Sequence, residues 1–242
     1  MGTSLCLVAG ASLAAGCGAA GTDDGGTPID AGFPIVDIDN GSCGDQLRFT
    51  GEYVDWDHDA TACGIEDALF QVAGDGAMDI TAPNGRFDLC IPSATTTTVE
   101  ISPAITASQC TVPGSTYPLP AIAVVNKAVI LAGALWSGRN FTIDRQQSLF
   151  QAAGLTFDPA KAQVFVHLEG PQRPIAITAA HGTTQAMTAT AWAAGDTGHE
   201  VFFPNVDVGG QTTMLTVTGG ALGTGPIPLA AGKITTVTLI AN

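Results

Sequence analysis

The chain has 242 residues, 45% of them apolar and 6% aromatic, so it can bury a core of ordinary size and is not a disordered segment. Its 8 Lys and Arg stand against 22 Asp and Glu, a formal charge of −14 with no basic cluster to offset it. Nucleic acid and anionic lipid headgroups are thereby excluded as electrostatic partners.

The first element is an address. Leu5 to Ala15 is an apolar run of signal-peptide length, too short to span a bilayer. It ends in Ala14-Ala15-Gly16-Cys17, which resembles a bacterial lipobox and makes Cys17 the expected lipidation site. Two features depart from that pattern: Leu13 stands four places before Cys17, and no Lys or Arg precedes Arg48. Residues 18–42 are rich in Gly, Asp, Thr and Ala without periodicity. They read as a flexible tether, whose first seventeen residues would span roughly 25 Å.

A cysteine-bearing region follows, expected as a β-sandwich over residues 43–113. Cys43, Cys63, Cys90 and Cys110 are its disulfide candidates, and four cysteines allow three connectivities. The favoured one joins Cys63 to Cys90 and Cys43 to Cys110. Strands are expected at 47–54, 68–72, 78–81, 86–91 and 95–101. Asn84-Gly85 should close a type I′ hairpin between the third and fourth.

The segment 119–136 is apolar but carries Asn126-Lys127 at its centre, where a bilayer would penalise the charge. Buried strands are the expectation there, followed by one short helix over 145–153. Strand patterns then recur at 162–168, 175–178, 187–192, 201–203, 214–218 and 231–240, separated by glycine-bearing turns. A second sandwich is expected over 117–242.

Two stretches resemble a known family. Cys63-Gly-Ile-Glu-Asp-Ala-Leu-Phe-Gln-Val with Ile80-Thr-Ala-Pro-Asn-Gly-Arg-Phe-Asp-Leu, and Gly198-His-Glu-Val-Phe-Phe-Pro-Asn-Val with Gly209, are similar to carboxypeptidase regulatory-like, transthyretin-like domains. The resemblance implies an all-β chain of two tandem Greek-key sandwiches, transthyretin-like or Ig-like. It also implies a non-catalytic role.

The chemical inventory is short. Asp55, Asp57 and Asp59, with Glu66 beyond them, place oxygens at the alternate spacing of a calcium loop. The turn glycine of such loops is replaced by Ala60, and an acidic turn is the competing reading. Asp37-Ile38-Asp39-Asn40 is a weaker copy. His58, His167, His181 and His199 show no metal-ligand spacing. No G-x-S-x-G motif occurs, and the Tyr/His pairs of intradiol dioxygenases are missing. Trp56, Trp136 and Trp192 are expected in the core, with an exposed one marking a carbohydrate platform.

The expectation is a non-enzymatic envelope lipoprotein of the outer membrane, held to the membrane only by its lipid. It would act in binding, adhesion or structure, with an envelope protein or polysaccharide as partner and no cofactor beyond calcium. The alternatives are a periplasmic or secreted location, and a hydrolase or metal-dependent enzyme with its site between the two sandwiches.

Overall fold

The computed structural model describes residues 43–56, 64–102, 116–188 and 191–242. Cys17, the tether, Asp57, Asp59, Cys63 and Cys110 lie outside them. The chain is all-β with two short helices. In chain order the elements are β1 (Leu47–Asp55), β2 (Leu69–Val72), β3 (Met78–Ile80), β4 (Arg86–Ile91), β5 (Thr96–Ile101), β6 (Ala121–Asn126), α1 (Lys127–Leu131), β7 (Trp136–Asn140) and α2 (Ile143–Ala152). There follow β8 (Ala162–Glu169), β9 (Arg173–Ile177), β10 (Gln185–Met187), β11 (Trp192–Ala194), β12 (Thr197–Gly198), β13 (Glu200–Val206), β14 (Thr212–Val217), β15 (Ala221–Leu222), β16 (Gly225–Pro228) and β17 (Ile234–Ala241).

The strands form three layers. A central sheet runs β11-β10-β13-β8-β17-β6-β5-β2-β3, with β15 beside the far end of β17. A three-stranded sheet, β4-β1-β7, covers one face, and a four-stranded one, β12-β9-β14-β16, covers the other. Pleat alternation assigns the faces: Phe165 of β8 and Phe202 of β13 join one core cluster, while their neighbours Val164, Val166, Val201 and Phe203 join the second. Strands β6, β8, β13 and β17 are therefore buried on both sides. Near-continuous apolar runs such as AIAVV are what that position requires, which accounts for the apolar segment at 119–136. Asn126 ends β6 and caps α1, its side chain accepting from the Ala128 amide, and the flagged Lys127 opens the helix.

The middle of the central sheet is parallel. Strand β17 inserts between β6 and β8, pairing in parallel with Ala121–Val124 on one side and Gln163–Glu169 on the other. The expected division at 113–117 gives way to a shared sheet. Strands β5 and β6, which flank it, pair over six residues from Thr96↔Asn126 to Ile101↔Ala121. Strand β7 likewise pairs in parallel with β1, Gly51 opposite Trp136. The described residues accordingly fall in one compact unit.

The Asn84-Gly85 hairpin is also corrected. Strand β3 pairs with β2 in the central sheet, and β4 pairs with β1 in the covering sheet, so residues 81–85 cross between layers. Only Gly85 of the pair has positive φ, at 73°. A Cβ there would lie 2.1 Å from the Tyr53 carbonyl, so close approach to β1 requires glycine. The strand expected at 187–192 is instead the β10/β11 pair, Met187 opposite Trp192. Finally, Cys90 bonds Cys43, which replaces the favoured Cys63–Cys90 and Cys43–Cys110 connectivity. The antiparallel register sets Arg48 opposite Cys90, and the chain entering β1 brings Cys43 to a Cα separation of 5.4 Å.

Candidate functional site

Two polar constellations stand out, one buried and one open. The buried one lies between the central sheet and β7. Arg139, on β7, is 4% exposed and sends Nε and Nη2 to Glu200 Oε1 at 2.9 and 2.7 Å. Its Nη1 donates to the carbonyls of Asp55 and Trp56 at 3.1 and 3.3 Å. Glu200 on β13 is the register partner of His167 on β8, which puts both side chains on the face below β7. His167 Nδ1 stands 3.9 Å from Glu200 Oε1, beyond hydrogen-bond reach. Burial alone would raise the Glu200 carboxyl. The facing His167 and Arg139 outweigh that and hold it below the usual carboxylate range.

Beside this pair, the Asn140 amide is fully used. Its Nδ2 donates to Tyr53 Oη and to the Leu119 carbonyl, both at 2.8 Å, while Oδ1 accepts from the Phe141 amide. Burial drives the Tyr53 hydroxyl far above its ordinary titration range. Chemically this is a clamp: one cation joins the end of β1 to β13 across two sheets, with its donors spent on protein acceptors.

Asp55, the first residue of the proposed calcium loop, points into the same region. It is 4% exposed, and its Oδ2 accepts from Tyr117 Oη at 2.6 Å. Asp57 and Asp59 lie outside the described residues. Glu66 sits on the following segment, its carboxyl raised by burial and by neighbouring Asp67. No group of three His, Cys, Asp or Glu able to hold a metal occurs among the described residues. His181 and His199 each lie within reach of a backbone carbonyl, Gly182 and Leu168 respectively.

The open constellation is a cavity of about 380 Å³ between α2 and the β10/β11 pair. Helix α2 begins at Thr142, whose hydroxyl accepts from the Arg145 amide, and it buries Leu149 and Phe150 against the aromatic core. That leaves Arg145, Leu149 and Ala152 on the cavity wall. Gln185, Met187 and Trp192 supply the opposite wall. Trp192 is partly exposed, whereas Trp56 and Trp136 are core residues at 0% and 4% exposure. The Trp192 ring stacks on Trp56 with centroids 4.7 Å apart, so the cavity wall is fixed by the core. None of the described residues that line it is acidic.

Sequence reading singled out Asp55 and Trp192 but passed over Arg139, Glu200, Tyr117, Asn140 and Arg145. The available signal was a lone charge inside an apolar strand, as in Trp136-Ser-Gly-Arg139-Asn-Phe and His199-Glu200-Val-Phe-Phe. A charge in such a run is either unburied or paired.

No helix among the described residues is long and apolar enough to cross a membrane. No protein-family model matches the chain, and no curated protein matches it. Among solved structures it is similar to the Bacillus anthracis TIE protein at 11% identity and a TM-score of 0.25, the match covering 81% of this chain and 34% of that one. The chain thus spans about a third of the length of that relative.

Proposed function

We propose that this chain is a non-catalytic binding module of the cell envelope, tethered by a lipid on Cys17, with the α2/β10–β11 cavity as its contact site. The reading rests on one observation: a partly exposed tryptophan, Trp192, held rigid by its stack on buried Trp56 at the wall of a cavity. An amphipathic ring fixed in advance loses little entropy on binding, and such rings recur at binding hot spots. The buried Arg139–Glu200 pair fits the same reading as a clamp that holds the scaffold under the cavity wall. The family resemblance of the 63–89 and 198–209 stretches belongs to this proposal too, since regulatory-like sandwiches serve in presentation and contact. The anchor rests on the lipobox-like Ala14-Ala15-Gly16-Cys17 alone.

The test has two parts. Cells expressing the full chain are fed an alkyne fatty acid; label on the wild type and its loss in Cys17→Ala supports the anchor, and an unlabelled wild type removes it. Bead-bound full chain is then offered purified envelope polysaccharides. Retention that falls about tenfold in Trp192→Ala supports the cavity as contact site, and equal retention by both proteins sinks it.

A further inference from the structure

We infer that the turn between α1 and β7 is a membrane-contacting wedge, seating Leu131 and Leu135 at the boundary between the headgroups and acyl chains of a zwitterionic lipid surface. This rests on the lipid-anchor part of the reading above and adds a second contact with the same membrane. Three observations carry it.

The first is an exposed apolar tip. Ala128–Leu135 reads AVILAGAL, a run without one charged or polar side chain. Val129 is buried, but Leu131 and Leu135 are 67% and 58% exposed. Leu222 of β15 is exposed beside them, since a Cβ on the adjoining Gly223 would lie 2.9 Å from Val129. Leucines grouped in this way on an acidic protein mark a contact surface.

The second is the backbone of the tip. A turn leaves water cheaply only when its amides are already paired. Here the amides of Ala132, Gly133 and Ala134 donate to the carbonyls of Ala128, Ile130 and Val129 at 3.1, 2.9 and 3.3 Å. Gly133 takes the positive φ, 86°, that this closure of the helix requires. A protein partner could use free amides, whereas acyl chains offer them nothing. The tip suits the second kind of surface.

The third is where the described chain begins. Strand β7 runs parallel to β1 with Trp136 opposite Gly51, so Leu47–Thr50 lie beyond the start of β7, at the end that carries Leu135. Arg48 is opposite Cys90, and the Cys43–Cys90 bond holds the chain entry at that end. Strands β6 and β17 run parallel toward it, β6 leading into α1 and the last residues of β17 pairing with Leu222. The chain from Cys17 therefore joins the folded part at the wedge end, and a lipid on Cys17 draws that end to the membrane. The contact is apolar, so salt should not weaken it.

The experiment mixes the full chain with phosphatidylcholine vesicles whose acyl chains are brominated, and reads tryptophan emission. Leu135→Trp should be quenched. Wild type should not, and neither should Ile143→Trp, an exposed position beyond the other end of β7, about 16 Å away. In a Cys17→Ala background, Leu131→Ser with Leu135→Ser should lower the vesicle-bound fraction about tenfold, at low and high salt alike. Both leucines are exposed, so an unchanged Tm checks that the variant is folded. No quenching of Leu135→Trp, or equal quenching of Ile143→Trp, overturns the inference. So does self-association that Leu131→Ser abolishes without any quenching, which would give the patch to a second copy of the chain. If Cys17 carries lipid while Leu135→Trp stays unquenched, the wedge is wrong and the anchor stands. If Leu135→Trp is quenched but Cys17 is unlabelled, the anchor fails and the wedge survives.

Discussion

The two faces of the central sheet are packed with different chemistry. The face under β4-β1-β7 is aromatic: Phe70 stacks on Phe87 at 4.1 Å, Phe49 meets Phe87 at 4.8 Å, and Trp56 touches the rings of Phe141, Phe165, Trp192 and Phe202. The face under β12-β9-β14-β16 is aliphatic, built from residues such as Val164, Val166, Leu168, Leu215 and Leu239, with Phe203 as its single ring. Branched aliphatic side chains fill a layer evenly and leave no polar edge. Rings pack at angles and leave gaps at their rims, and the three indoles here, Trp56, Trp136 and Trp192, bury N–H groups without acceptors among the described residues. The aromatic face is also where the chain keeps its buried Arg139–Glu200 pair and its tyrosine hydroxyls. One face therefore supplies uniform packing. The other supplies the polar fixtures that position the cavity.

Converting one face into a copy of the other is the strongest test of that contrast. Replacing Arg139 alone by Met should cost about 3–5 kcal/mol, because Glu200 is then left buried and uncompensated. Glu200→Leu should cost a similar amount for the converse reason. The double variant, an all-apolar version of the site, should recover most of either loss, and chemical denaturation of the four proteins checks it. A double variant as unstable as the sum of the singles would mean that the clamp is more than a charge pair. Low pH probes the same site. The Glu200 carboxyl lies below its unfolded value, so its contribution is present above about pH 4.5 and is lost as the pH falls through the depressed folded value. Arg139→Met should flatten that acid limb.

The disulfide gives the next largest effect. Cys43–Cys90 spans 47 residues and staples the entry of β1 to β4, both in the aromatic layer. The double Ala variant should lose about 2–4 kcal/mol. Hydrogen exchange should show β1 and β4 opening before β9 and β14, which have no such staple. Uniform loss of protection on both faces would erase the contrast between the layers.

How far the sequence foretold this layering depends on the range of each signal. Alternation and turn residues placed β1, β2, β4, β5, β8 and β14 to within a few residues, because period and local propensity act within one strand. Partner choice acts across the molecule. Asn84-Gly85 is a sound local turn signal, yet β3 and β4 belong to different sheets because Phe87 and Leu89 must face the aromatic core while β3 completes the edge of the central sheet. Nothing in the 234–241 alternation announces that β17 lies between β6 and β8, since a parallel partner leaves no hairpin in the sequence. The same holds for the site. Trp192 was visible as a residue, but its stack on Trp56, 136 positions away, was not. The Cys90 partner was open for the same reason.

The smallest predicted effect lies on the aromatic face as well, at Tyr53. Its hydroxyl accepts from Asn140 Nδ2, which favours the ionised form, but burial outweighs this and holds the proton on far beyond the usual range of a phenol. An unfolded tyrosine ionises near pH 10, so the folded state binds the extra proton above that pH, and stability falls as the pH rises further. Tyr53→Phe removes this alkaline loss but strands one Asn140 N–H in the core, at a cost of about 1–2 kcal/mol at pH 7. The two stability curves should therefore converge as the pH rises above 10, whereas those of wild type and Leu239→Ala, a change on the aliphatic face, should stay parallel. Parallel curves for Tyr53→Phe would mean that the hydroxyl ionises in place, and that the aromatic layer is wetter than its packing requires.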